Sequence, residues 1–455
     1  MTVGESGTDS MTGDASGDSA SGSDSNTASG GTATTDPSGG SSDSAGTVFD
    51  VGAGGEVFCQ NREAGVYCSD NRAIVCGDSG NVVSDDGCVP GVCQEGVGCV
   101  DCLDGQYTCD GPRVMACDTT QDPAVWQEME VCDPSANEAC TLCDYANDPN
   151  CDDPPLGACR TTPLLGSATP TGSYYQYALF AADSNPYMGG GDVDSWIAGT
   201  LPGDDNRIVV YNNAGTFDIY TVDLLDSDGD GVLEPNQHPD NPDETGPIEE
   251  RVLTHLESVA APAGLSATIN ELYMPSPDRL FNGGPTLDEF VIAGGSNTLV
   301  STPPTWMGSQ RFSFIGRDEI NGRWYAGNEN GGTIGPTGGR RVYQHSPETD
   351  TWGIAFDYPD LAGSHADGME VVVDERTGTP YVYISDMTSD FIGQYRWDLN
   401  KGWVQENLFQ YTGTGDLVEG MGFGAFNHFW ATGGQSGSLY EVGGGDLQEY
   451  VEPPG

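Results

Sequence analysis

The chain is nearly without lysine. Of its 455 residues only 15 are Lys or Arg, against 70 Asp or Glu, for a formal net charge of −55. Lys401 is the single lysine. A surface of that sign repels nucleic acid and anionic lipid, which excludes both as partners. Cysteine is missing before residue 59 and after residue 159, so all 14 cysteines fall between Cys59 and Cys159. No apolar run reaches the roughly 18 residues that a transmembrane helix needs. Histidine is scarce and scattered. His238, His255, His345, His365 and His428 form no H-E-x-x-H, and no G-x-S-x-G elbow exists, so hydrolysis by a known triad is unsupported. The opening Met1-Thr2-Val3-Gly4-Glu5 carries neither a basic n-region nor an apolar h-region.

What is present disagrees with that last absence. An even number of cysteines packed into about a hundred residues signals disulfides and an oxidising compartment. The cysteines outweigh the missing leader. The expectation is therefore a leader, either already removed or encoded upstream of Met1 and ending in a lipidated cysteine, and a protein in the extracellular space or at the outer cell surface. Residues 1–50 are Ser, Gly, Thr, Asp and Ala with almost nothing apolar before Val48-Phe49. They cannot bury a core and read as a disordered, self-repelling linker. In composition they resemble the spacers behind the lipid-bearing cysteine of bacterial surface lipoproteins.

Residues 51–160 form a Cys-rich region with a repeat of about 41 residues. Cys59, Cys68 and Cys76 correspond to Cys102, Cys109 and Cys117, and these to Cys143, Cys151 and Cys159. Cys88 matches Cys132, Cys99 matches Cys140, and Cys93 has no counterpart. Such modules are too small to fold on apolar burial, so cross-links must hold them. They are similar to Cys-rich repeats in extracellular proteins of predatory and multicellular bacteria. The Cys99-x-x-Cys102 and Cys140-x-x-Cys143 spacings suit zinc, but no histidine lies nearby, and disulfides are the stronger reading.

Residues 161–455 repeat on a longer period. Met369 to Val373, Tyr381 to Ser385, Ile392 to Trp397 and Val404 to Tyr411 read as four strands joined by turns such as Asp374-Glu375-Arg376-Thr377-Gly378. Four antiparallel strands in about fifty residues make one β-propeller blade. Glu419-Gly420-Met421 repeats Asp367-Gly368-Met369 one blade later. The gap after Ile197-Ala198-Gly199 is double the others, so one blade is expected around Arg251 to Phe281. The fold class expected is all-β: a six-bladed propeller, within a range of five to seven. The last blade shows four strands of its own, ending at Leu447 to Val451, and Tyr174 to Phe180 is a further candidate for pairing at the ring closure.

Two places could carry chemistry. Asp226-Ser227-Asp228-Gly229-Asp230-Gly231 places carboxylates at positions 1, 3 and 5 and glycine at 6 of a calcium loop. Val232 would offer its carbonyl and Glu234 its carboxylate, whereas position 12 is Gln237 rather than Glu. Prolines follow instead of a helix, so the loop resembles those of thrombospondin-type and dockerin repeats more than an EF-hand. The cofactor expected is Ca2+ in a structural role. The second place is His365-Ala366-Asp367-Gly368-Met369, which with Val371 to Asp374 and Tyr381 to Tyr383 resembles one blade of the regucalcin/gluconolactonase family over about forty residues. That resemblance implies Asp367 alone as a ligand for another divalent metal in the propeller channel, while Glu419, at the equivalent position one blade on, would point to the same axis and His365, beside Asp367, would serve as ligand or base. The early Glu and the Asn ligands of that family have no evident counterparts.

The function these features support is a secreted or surface-tethered bacterial binding or scaffold protein for an unidentified protein or carbohydrate ligand. The alternative is a metal-dependent, lactonase-like hydrolase working in the channel.

Overall fold

The computed structural model describes residues 58–444, apart from 143–155, 166–173, 182–192, 197–205, 262–271, 292–296, 329–339, 362–365, 411–417 and several stretches of one to three residues. The expected tail, His365, Cys143, Cys151 and the strand expected at Leu447 to Val451 lie outside the described residues. From Gly52 onward the chain forms one compact unit.

That unit is built almost wholly from strands, and five four-stranded antiparallel sheets dominate it. Blade 1 runs Val193–Trp196, Arg207–Asn212, Thr216–Leu225 and Glu250–Ala260 from the inside outward. Blade 2 is Leu272–Ser276, Arg279–Asn282, Leu287–Val291 and Asn297–Ser301. Blade 3 is Phe314–Asp318, Arg323–Gly327, Arg340–Ser346 and Thr351–Tyr358, and blade 4 is Ala366–Asp374, Thr379–Asp386, Phe391–Asp398 and Gly402–Gln410. Blade 5 takes Val418–Phe423, Phe429–Gly433 and Leu439–Gly444, and its outermost strand is Tyr174–Phe180 from the far end of the repeat region. Each innermost strand contacts that of the next blade, and blade 5 returns to blade 1, so the ring is closed.

The protein is thus an all-β propeller, and the described residues make five blades, at the low end of the expected range. The stretch expected to hide a sixth is the long outer strand Glu250–Ala260 followed by the first two strands of blade 2. Within blade 5, Tyr174–Phe180 pairs with Leu439–Gly444 and fills the outermost place, which corrects the reading of a last blade complete in itself.

The core consists of layers between blades, because strand side chains alternate between the two faces of each sheet. In blade 1, Ile208 and Val210 pack toward Trp430 and Leu439 of blade 5. Val209 and Tyr211 point the other way, onto Leu272, Leu280 and Phe290 of blade 2. Further layers join blades 2 and 3, 3 and 4, and 4 and 5. The innermost strands come close enough to need glycine: a Cβ on Gly422 would lie 2.4 Å from the Asp194 Cα. Buried polar groups tie the same strands. Asp194 Oδ2 accepts the Met274 N–H of blade 2, and Ser195 Oγ accepts the Ala425 N–H of blade 5 at 2.8 Å.

The Cys-rich region folds into two modules of the same connectivity. Cys59–Cys76, Cys68–Cys93 and Cys88–Cys99 join cysteines 1–3, 2–5 and 4–6 of the first. Cys102–Cys117, Cys109–Cys140 and Cys132–Cys159 repeat that order among the described cysteines of the second, so Cys159, expected to match Cys117 in a third repeat, instead closes the second module on Cys132. Cys93 therefore corresponds to Cys140 and Cys99 to Cys159, which corrects the sequence alignment of the two modules. Among the described residues no cysteine is free.

The second module is docked on blade 3. Asp110 accepts from Arg113, from Arg323 at 3.0 Å and from Ser346 Oγ at 2.8 Å. Against the penalty of burial, Arg323 and Arg113 hold the Asp110 carboxyl below its usual range. Arg341 pairs with Asp357 through two hydrogen bonds of 2.7 and 3.0 Å and reaches Asn137 at 3.1 Å. A Cβ on Gly353 of blade 3 would lie 2.4 Å from the backbone nitrogen of Pro112, so the backbones meet there. The connecting segment then runs beside blade 3, with Leu165 N donating to Asp357 O at 2.8 Å.

Candidate metal centre

The third and fourth strands of blade 1 are joined by the long excursion 226–249. It opens with the aspartate loop, whose fold follows from its glycines and its carboxylates. Gly229 and Gly231 sit at φ +79° and +88°, where a side chain would be strained. Asp226 accepts the N–H groups of Gly229 at 2.5 Å and Gly231 at 2.9 Å. Asp228 accepts from Asp230 N at 3.1 Å, and Asp230 from Val232 N at 2.7 Å. Ser227 Oγ accepts the Glu250 N–H at 2.8 Å, which fixes the loop to the start of the outer strand.

This turn brings one carboxylate oxygen from each of Asp226, Asp228 and Asp230 within 4.8 Å of one another, all exposed. Three negative groups at that spacing repel, and a hard divalent cation reverses the sign of the interaction. Partial burial raises the Glu234 carboxyl above its ordinary range, and Asp230, Asp228 and Glu249 push it further. Gln237, at the twelfth position, donates its amide to Glu234 and offers no carboxylate. Glu249 was not visible as a site residue in the sequence. It is only 2% exposed, and its Oε2 accepts the Glu234 N–H at 2.9 Å.

The excursion then crosses to blade 5. Tyr177 Oη donates to the Asn236 carbonyl at 2.9 Å, and His428 Nε2 lies 2.9 Å from Asn236 Oδ1. His428 Nδ1 lies 2.7 Å from Glu441, which also takes Arg251 at 2.8 Å. The Arg251 guanidinium donates further to the carbonyls of Glu249 and Pro235. His238 stacks on Tyr175, and His428 on Tyr177. The aspartate loop and the ring closure thus share one connected network.

The channel residues sit differently. Asp367 is buried at a register shift of the innermost strand of blade 4, where the Gly368 N–H donates to Ser385 Oγ at 2.8 Å. Glu419 occupies the matching register shift between Val418 and Gly420 in blade 5. The repeated acid-Gly-Met sequence therefore marks a bulge that bends the chain into the ring. Among the described residues, Asp226, Asp228 and Asp230 form the one group of three or more His, Cys, Asp or Glu side chains close enough to share an ion.

The geometry defines the class: a closed β-propeller preceded by two disulfide modules, the second docked on it. No family model matches the chain, and none of the curated proteins compared with it matches either. Among solved structures it is similar to a streptogramin B lyase at 11% identity, covering 84% of this chain and 93% of that one, with a TM-score of 0.28. It is also similar to a Trichoderma reesei carbohydrate-active enzyme of family AA12 at 12% identity, covering 75% and 95%, with a TM-score of 0.30. Likeness at this level says nothing about activity.

Proposed function

We propose that the chain is a bacterial binding or scaffold protein, secreted or tethered at the cell surface, whose acidic propeller is braced by a structural calcium ion. The observation that carries the calcium reading is the convergence of Asp226, Asp228 and Asp230 on an exposed turn whose backbone is already folded around them. Six disulfides suit an oxidising compartment, and no described helix is long and apolar enough to cross a membrane. The ligand is a protein or carbohydrate, held on the compact unit that contains the blades and the modules.

A ligand that binds only the folded state stabilises it by about 2.7 kcal/mol at a hundred-fold excess over Kd. With no carboxylate at position 12, affinity in the extracellular range of about 0.1–1 mM is expected. The test is thermal unfolding of the full, oxidised chain in millimolar calcium and in EDTA. Calcium raises the melting temperature, and Asp228→Asn with Asp230→Asn removes most of the rise. Asp367→Asn leaves the rise intact. If Asp367 controls the calcium response instead, the aspartate loop is an ordinary acidic turn and the channel becomes the metal site.

A further inference from the structure

The two disulfide modules present the same hairpin, and among the described residues the propeller covers one of the two. In the first module Gly65–Ser69 pairs with Arg72–Cys76, with Cys68 opposite Ala73 and Ser69 opposite Arg72. In the second, Tyr107–Asp110 pairs with Arg113–Asp118, with Cys109 opposite Val114 and Asp110 opposite Arg113. Both read Cys-x-x-x-Arg-x-x-x-Cys. The third strands match as well. Asp85 stands opposite Ile74 and pairs with Arg72 at 2.8 Å, while Glu128 stands opposite Met115 and pairs with Arg113 at 3.5 Å. Arg72 is therefore the counterpart of Arg113, and Cys68, Ser69 and Cys93 are those of Cys109, Asp110 and Cys140.

In the second module this hairpin is an interface. Arg113 donates to Ser346 Oγ at 3.3 Å and to Glu348 at 3.2 Å, at the tip of the outer hairpin of blade 3. A Cβ on Gly111 would lie 3.0 Å from the Ser346 Cβ, and Trp397 of blade 4 packs against the core of Cys109, Val114, Cys132 and Cys140. The Arg113 side chain is thereby reduced to 9% exposure, and Cys109, Asp110 and Cys140 are buried. In the first module the Arg72 side chain is 34% exposed, and Cys68, Ser69 and Cys93 are only half-buried. Its strands pack principally on one another. The duplicate keeps the guanidinium and its acidic brace, and it has Ser69 where the docked module has Asp110. A partner for it therefore needs no arginine of the Arg323 kind. It needs the hydroxyl and the carboxylate that Ser346 and Glu348 supply to Arg113.

We infer that the Arg72 face of the first module is a protein-docking surface whose occupant is the tip of a β-hairpin on another protein, with a hydroxyl and, two residues on, a carboxylate placed as in Ser346 and Glu348. This rests on the reading of the chain as a binding protein and narrows the ligand of this face to a protein. Arginine suits that task, since its planar fork holds two acceptors in fixed geometry. The internal duplication says what the face fits: the second module shows the same hairpin seated on such a tip. A second copy of this chain is the poorer occupant. Its blade 3 tip is taken by its own second module, and two chains of net charge −55 repel.

The probe is a synthetic peptide of the blade 3 tip, Gln344 to Gly353, closed head to tail where those two residues face each other across the hairpin. Labelled with a fluorophore, it is titrated with the full, oxidised chain and followed by anisotropy. The wild type should bind it saturably, and more weakly as salt is added. Arg72→Met in the chain, or Glu348→Gln in the peptide, should each weaken binding at least tenfold. The two together should cost little more than either alone, because both remove the same contact. The peptide substitution leaves the chain untouched, so the coupling is read even where Arg72→Met disturbs the first module. Binding that neither change weakens overturns the inference, and so does a wild type that does not bind the peptide. Self-association of the wild type that Arg72→Met abolishes overturns the choice of occupant. The calcium response of the blades stays the same in every case, so this surface and the proposed function fail separately.

Discussion

His428 sits with both ring nitrogens engaged and its ring fully enclosed. Burial, aided by the Arg251 guanidinium, holds its pKa below the ordinary 6.5 against the pull of Glu441. The folded state therefore prefers the neutral ring. Above pH 6.5 that preference costs nothing. As the pH falls below it, the unfolded chain takes up a proton that the folded chain does not, and stability declines until the folded pKa is reached. Melting between pH 8 and pH 5 should show this acid-side loss, and His428→Gln should flatten it relative to the wild type. Arg341 poses the complementary case. Removing it by Arg341→Met leaves Asp357 buried and charged, so urea unfolding should show a loss of about 3–5 kcal/mol.

At the scale of elements, the sequence was readable where structure is local. Strand pairs such as Met369 to Val373 with Tyr381 to Ser385 announce themselves by β-branched residues around a turn, and they pair as expected. What local pattern cannot show is a partner from elsewhere in the chain. Tyr174–Phe180, marked in the sequence only as a further candidate for ring closure, finds its neighbour some 260 residues away. The excursion 226–249 likewise enlarged one gap and imitated a missing blade. Cysteine spacing matched the first four cysteines of the two modules, misplaced the fifth and sixth, and set Cys159 in a third repeat, because connectivity depends on how the strands fold. Glu249 was illegible for a similar reason: its burial comes from the return arm lying back on Glu234. The modules invite a direct measurement. Replacing Cys109 and Cys140 by Ser opens a loop of separation 31, and the chain-entropy estimate gives a loss of about 3–4 kcal/mol in urea unfolding.

At the scale of the whole molecule, the second module is docked on the propeller as well as cross-linked within itself. The sequence divides near residue 161 into a Cys-rich region and a longer-period repeat region. Yet Arg323 and Ser346 of blade 3 lean on Asp110, and Trp397 of blade 4 packs against the module's core. A chain truncated to begin at Thr161 should melt below the full chain and scatter more light on heating. The net charge sets a second expectation. Self-repulsion at −55 weakens as the screening length falls from about 10 Å at 0.1 M salt to 3 Å at 1 M, so added sodium chloride should raise the melting temperature.

The borrowed strand of blade 5 also sets a clock. A ribosome makes Tyr174–Phe180 long before Leu439–Gly444, its partner, exists. Blades 2, 3 and 4 can each assemble as their own strands emerge, since all four follow one another in the chain. The ring itself has to wait until Leu439–Gly444 has been made, with one strand left unmatched in the meantime. Closure over so long a separation is slow by its nature. A chain in that waiting state is still an open thread, and the finished ring is not.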